Sequence, residues 1–99
     1  MTEELTSGQI RKLKGLAQRL EPNLKLGKNG LSEGFLESLN AELARHELVK
    51  VKFADLKDQK KELSPQLAER SQATLVTLVG NVAVLFRRNE DPEKRKVEV

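Results

Sequence analysis

The residues able to do chemistry are few, and their types narrow the choice at once. In 99 residues there is no cysteine and a single histidine, His46. Thiolate zinc sites are therefore excluded, and imidazole ligands are too few for a typical transition-metal centre. Glu33, Glu37 and Glu42 precede His46 while Asp55, Asp58 and Glu62 follow it, a spread of carboxylates ordinary for charged surface helices. Ser32, Ser38, Ser64 and Ser71 have no base close by in sequence, and His46 at a helix end reads as a dipole partner. The expectation is a protein that is not an enzyme, with no cofactor, no metal and no small-molecule substrate.

What the chain does offer is a glycine turn and a block of cations. Gly27-Lys28-Asn29-Gly30 falls between a strand-like segment and the start of a helix, where free amides and the positive end of the helix dipole favour an anion. Glycine lets the main chain approach a ligand closely, Lys28 adds a mobile charge, and Asn29 can hydrogen-bond a sugar or phosphate oxygen. A purely structural turn is the competing reading. The glycine patterns of nucleoside triphosphate and dinucleotide sites are absent from the sequence, so those ligands are not expected.

Arg11, Lys12, Lys14, Arg19, Lys25 and Lys28 have only Glu21 as an acid among them, so they lack the i,i+4 acidic partners of a solvated helix. Lys50 and Lys52 are secondary candidates, because lysines on an open sheet face also guard against aggregation; Arg87 and Arg88 come after them. The net charge is only +3, but it is gathered in blocks of one sign, which suit a polyanion. With no Trp or Tyr and three Phe, all on apolar stripes, platforms for stacking bases are few. The chain suits the backbone and shape of a folded RNA.

The elements that must position these groups follow from periodicity. Thr6-Ser7-Gly8-Gln9 is a capping box with Leu5 and Ile10 as its staple, opening a helix whose stripe is Ile10, Leu13, Leu16, Ala17 and Leu20 before Pro22 ends it. Asn23-Leu24-Lys25-Leu26 alternates like a strand. Ser32 caps a second helix with stripe Phe35, Leu36, Leu39 and Leu43, ending near His46. Leu48 to Phe53 then alternates with Val49, Val51 and Phe53 inward and Lys50 and Lys52 outward, a strand buried on one side only. A third helix carries Leu63, Leu67 and Ala68; Pro65 either begins it after Ser64 or lies within a longer helix begun near Asp58. Thr74–Val79 and Val82–Arg87 form a hairpin around Gly80-Asn81.

The order α-β-α-β-α-β-β predicts a two-layer α/β (α+β) domain over residues 1–88. Residues 89–99 read as a charged, flexible tail whose last Val-Glu-Val offers an edge strand at most. No apolar run reaches the length of a membrane span, the start Met1-Thr2-Glu3-Glu4 is acidic where targeting peptides are basic, and the lack of cysteine fits a reducing cytoplasm.

Four blocks in this order resemble a known family. Leu5-Thr6-Ser7 with the basic helix, Leu26-Gly27-Lys28-Asn29-Gly30-Leu31-Ser32-Glu33-Gly34, His46-Glu47-Leu48-Val49-Lys50-Val51-Lys52, and Leu78-Val79-Gly80-Asn81-Val82-Ala83-Val84-Leu85-Phe86-Arg87 look like the CRM domain, named for chloroplast RNA splicing and ribosome maturation. The likeness runs from Leu5 to about Arg88 and is nearest the bacterial YhbY-like form. It implies a fold akin to the C-terminal domain of translation initiation factor three, with a four-stranded mixed sheet in the order 1-2-4-3 and an extra N-terminal helix. It also implies RNA binding and association with precursors of the large ribosomal subunit, with the glycine loop at Gly27, Lys28, Asn29 and Gly30. Pro65 within the third helix and Arg88 after the last strand depart from the family pattern. The expectation is a monomeric RNA-binding assembly factor; the alternative is a module docking on an acidic ribosomal or regulatory protein.

Overall fold

The computed structural model describes residues 5–99, so the acidic start, Met1 to Glu4, lies outside the described residues. The capping box forms as spaced: Thr6 accepts from the Gln9 amide and the Gln9 side chain accepts from the Thr6 amide, at 3.1 and 2.8 Å. Helix α1 (Ser7–Ala17) follows, then β1 (Leu24–Leu26), α2 (Glu33–His46), β2 (Leu48–Phe53), α3 (Lys60–Ser71), β3 (Thr74–Val79) and β4 (Val82–Phe86). The four strands form one sheet in the order β1-β2-β4-β3. β1 runs parallel to β2 across the α2 crossover, and the other pairs are antiparallel. The mixed sheet, its order and the three helices match the sequence expectation.

Alternation along the central strands divides the core in two. Val49, Val51, Phe53, Ala83 and Leu85 pack with Leu39 and Leu43 of α2 and Leu67 and Ala68 of α3. Leu48, Val84, Phe86 and Val76 point the other way, under Leu13 and Ala17 of α1. The sheet with α2 and α3 is the expected two-layer unit, and α1 adds cover over part of its second face. A β-bulge between Leu75 and Thr77 shifts the alternation, so Leu75 and Leu78, three residues apart, pack on the same face. The hairpin turn has positive φ at Gly80 and not at Asn81, the pattern of a type II′ turn, whose twist suits antiparallel strands.

Three details differ from the sequence reading and one decides between its alternatives. The α1 stripe does not extend to Leu20: the helix ends at Ala17 and Leu20 is 42% exposed. The cause is Lys50, whose ammonium donates to the Ala17 and Leu20 carbonyls at 3.0 and 2.8 Å and so caps the helix with a charge of the favourable sign. For the same reason β2 is not buried on one side only, since Leu48 is buried on the α1 side and Lys50 is half-buried. Of the two readings of α3, the longer helix is the one observed, entered from a 3-10 turn at Lys57–Gln59 and running through an exposed Pro65. Pro65 is the sixth residue of that helix, so it supplies no i→i−4 donor to the Lys61 carbonyl.

The fourth concerns the tail, which the charge pattern kept away from the core. Val97 and Val99 pack against the α1 cluster, and no edge strand forms among residues 95–99. Glu47 brings them there. It is fully buried at φ 65°, and its carboxylate accepts from the amides of Asn89, Lys96 and Val97 at 2.6, 2.6 and 2.9 Å. Its own amide donates to the Leu43 carbonyl and its carbonyl accepts from the Arg87 amide. A buried carboxylate is tolerated here because three N–H donors replace water. Replacing Glu47 by Gln sets an amide donor against those N–H groups, so Glu47→Gln is expected to lose about 2–4 kcal/mol of stability. Urea unfolding measures the loss, and hydrogen exchange should quicken at Lys96 and Val97.

Candidate nucleic-acid interface

Residues at the C-terminal end of β1 build the glycine loop. The Ala54 and Asp55 amides both donate to the Leu26 carbonyl, at 3.0 and 3.1 Å, and the Gly30 amide closes the turn on the Gly27 carbonyl at 3.1 Å. The two glycines have different reasons to be there. Gly30 is buried at φ +60°, and a Cβ on it would lie 3.3 Å from Leu56 Cδ1, so backbone and packing both require it. Gly27 is exposed, and a Cβ there would meet nothing within 4 Å. Gly34, in the first turn of α2, is equally open, although glycine costs about 1 kcal/mol against alanine inside a helix. The structural reading of the turn accounts for Gly30 and leaves Gly27 and Gly34 without a packing reason.

The first turn of α2 follows the loop directly. Ser32 Oγ accepts from the Phe35 amide at 3.2 Å, while the amides of Lys28, Asn29, Glu33 and Gly34 have no partner among the described residues. Lys28 and Asn29 are exposed at the tip. Such a group of donors attracts an anion. Glu33 opposes it, because its carboxylate also occupies this first turn.

The sheet carries the cationic surface onward. Lys25 of β1 is in register with Lys52 of β2, so both side chains share a face, the one that carries Leu48 and Lys50. Both are exposed. Lys50, named with them from sequence, is instead occupied by the end of α1 and is not available as they are. That end of α1 also adjoins the start of β1: the Asn23 amide donates to the Lys50 carbonyl, and Asn23 Oδ1 accepts from the Lys50 amide. Lys25 and Lys52 thus stand between α1 and the loop.

Arg11, Lys12, Lys14 and Arg19 are all exposed on or just after α1 but divide around it. Lys12 and Arg19 border an open groove of about 750 Å³ with His46, Lys96 and the acids Glu21 and Glu98, while Arg11 and Lys14 occupy the rest of the circumference. Lys96 joins them only because the tail docks, which no local pattern announced. Glu42 pairs with Arg45 at 3.5 Å and lies 3.7 Å from His46. None of Arg11, Lys12, Lys14, Arg19, Lys25, Lys28 and Lys52 has an acidic partner among the described residues.

The arginines after β4 have other tasks. Arg87 donates to Asn40 Oδ1, the Ser71 carbonyl and the Asn40 carbonyl at 2.6, 2.7 and 3.0 Å, binding α2 to the end of α3. Burial lowers the Arg87 pKa and the charge of Glu90 pushes it back; the guanidinium stays protonated at any physiological pH. Arg88 lies over the Phe86 ring, 6.0 Å from its centroid, and reaches the Val99 carbonyl.

Comparison with known proteins identifies the family of the chain. Residues 5–87 match the family model of the CRS1 / YhbY (CRM) domain. A Pseudomonas aeruginosa protein named "Probable RNA-binding protein PA4753" is 37% identical over 91 residues, which span 91% of this chain and 88% of the relative. A Haemophilus influenzae protein named "RNA-binding protein" is 39% identical over 88 residues, spanning 88% and 89% of the two chains. The solution structure of the hypothetical protein SAV1595 from Staphylococcus aureus superposes with a TM-score of 0.78 at 30% identity, covering 96% of this chain and all of that one. A family model spanning nearly the whole chain, together with the shared fold, places this chain in the CRS1/YhbY (CRM) domain family.

Proposed function

We propose that this chain is a non-catalytic RNA-binding protein that docks on large-subunit ribosomal RNA, or on its precursor particle, and assists ribosome assembly in the cytoplasm as a monomer. The loop grips the phosphate chain: the amides of Lys28 and Asn29, those of Glu33 and Gly34, and the exposed Lys28 side chain lie in one short segment and have no partner among the described residues. Lys25 and Lys52 continue the track toward α1, whose cations supply longer-range attraction. Lys50 contributes by holding α1 in place. The observation that carries the reading is Gly27, a glycine that neither φ nor packing demands and that leaves the main chain bare beside an unpaired lysine. The relatives named as RNA-binding proteins support the choice of ligand.

Altering Gly30 would confound any test, because its positive φ ties it to folding. Gly27→Asp with Lys28→Glu changes the loop's charge in open space instead. This double variant is expected to keep its thermal midpoint and to bind a large-subunit RNA fragment at least tenfold more weakly. It should also flatten log K against log salt by roughly 0.7 to 0.9 for each phosphate no longer held. Wild-type affinity in that variant would refute the loop's role. Glu33→Gln removes the opposing carboxylate and should tighten binding about twofold to fivefold, the worth of a charge at a helix terminus. Comigration with large-subunit particles should vanish after nuclease treatment; persistence would show a protein partner instead.

A further inference from the structure

Helix α1 covers only part of its face of the sheet. At the far end of that face, Lys25 is in register with Lys52, Lys52 with Val82, and Val82 with Val79. These four residues form one row across β1, β2, β4 and β3, roughly 14 Å long at the usual strand spacing of about 4.8 Å. Their side chains point the same way, since partners in register share a face. Lys25 and Lys52 are exposed, Val82 is half-buried, and Val79 is 66% exposed, one of the two large apolar side chains left open among the described residues. The row therefore has a cationic half at the β1 edge and an apolar half toward β3. Its cationic half begins at Lys25, two residues before Gly27.

We infer that this row seats an unpaired stretch of RNA, with Lys25 and Lys52 on phosphates and Val79 and Val82 against an unstacked base or its ribose. The inference rests on the RNA-binding reading above and adds the structural class of the RNA. In a duplex the base faces are buried in the stack and only edges, sugars and phosphates remain accessible. Valine has no hydrogen-bonding group for those edges or for a 2′-hydroxyl. An aliphatic surface gains by excluding water from the flat face of a base, which only an unpaired nucleotide presents. No acid lies within the row, and the nearby Asp55 turns its carboxylate onto the Leu56 amide at 2.7 Å. A row with charge of one sign only fits a polyanion better than a protein surface of mixed charge.

The test uses the full chain and two RNAs of equal length: a hairpin with an unpaired loop of about ten nucleotides, within the span a single-strand groove tracks, and a fully paired duplex. Val79→Ser is expected to weaken binding of the looped RNA about threefold to tenfold, somewhat below the effect of removing an aromatic platform, and to leave the salt slope and duplex binding unchanged. Lys25→Ala and Lys52→Ala should each flatten the salt slope by roughly 0.7 with the looped RNA. Because Val82 is half-buried, it is read without mutation: the methyl resonances of Val79 and Val82 should shift on adding looped RNA and stay in place on adding duplex. Unchanged looped-RNA affinity in Val79→Ser, equal weakening on both RNAs, or still methyls would overturn the inference while the RNA-binding reading stands. Failure of the unaltered protein to bind either RNA would overturn both.

Discussion

The ammonium of Lys50 on the terminal carbonyls of α1 decides how the molecule is divided. Lys50 lies mid-way along a central strand, so fixing the helix end to it determines which half of that face α1 covers. Level with it and above it, Val84, Leu48 and Phe86 are buried with Leu13 and Ala17. Below it, Lys52 and its neighbour Lys25 remain in solvent. A cation at a helix C-terminus is favoured by the dipole, and the Lys50 ammonium gives the Ala17 carbonyl a second donor beside the Leu20 amide. This contact withdraws a lysine from the surface and in doing so sets the border of the surface on which the other lysines stand.

Glu47 performs the corresponding task at the other end of the sheet. It follows the last turn of α2 with positive φ, a conformation that costs a non-glycine residue about 1 kcal/mol or more. The cost is offset by hydrogen bonds from three amides of the C-terminal segment. Their geometry turns a highly charged stretch back onto α1, where Val97 and Val99 close the apolar cluster. Lys96, carried along, joins Lys12 and Arg19 at the groove. Two buried or half-buried charges, one on each side of the residue pair Leu48 and Val49, thus organise elements that the hydrophobic pattern alone would leave loosely placed.

The glycine loop separates into a part that folds and a part that is free for a ligand. Gly30, with its positive φ, fits against Leu56, itself at positive φ, and this pair fixes the loop to the segment after β2. Gly27 and Lys28 then project from a rigid base. A rigid base matters because affinity gained through main-chain amides is reduced if they must first be ordered. The Glu33 carboxylate, in the first turn of α2, would oppose an anion at that helix start.

Local sequence was sufficient for whatever depends on spacing within a few residues. The capping box at Thr6 and Gln9, the Ser32 cap, the alternation of Val49, Val51 and Phe53, and the Gly80-Asn81 hairpin were all legible, since each is set by near neighbours in the chain. The family resemblance supplied the strand order. What local pattern could not contain were contacts between distant positions: Lys50 with Ala17 and Leu20, Glu47 with Lys96 and Val97, Arg87 with Asn40. Each redirects a charged side chain that looks solvent-bound in isolation. Whether a lysine is a ligand-facing cation or a helix cap, and whether a charged tail drifts or docks, depends on which buried carbonyls and amides come within its reach, and only the folded chain brings them there.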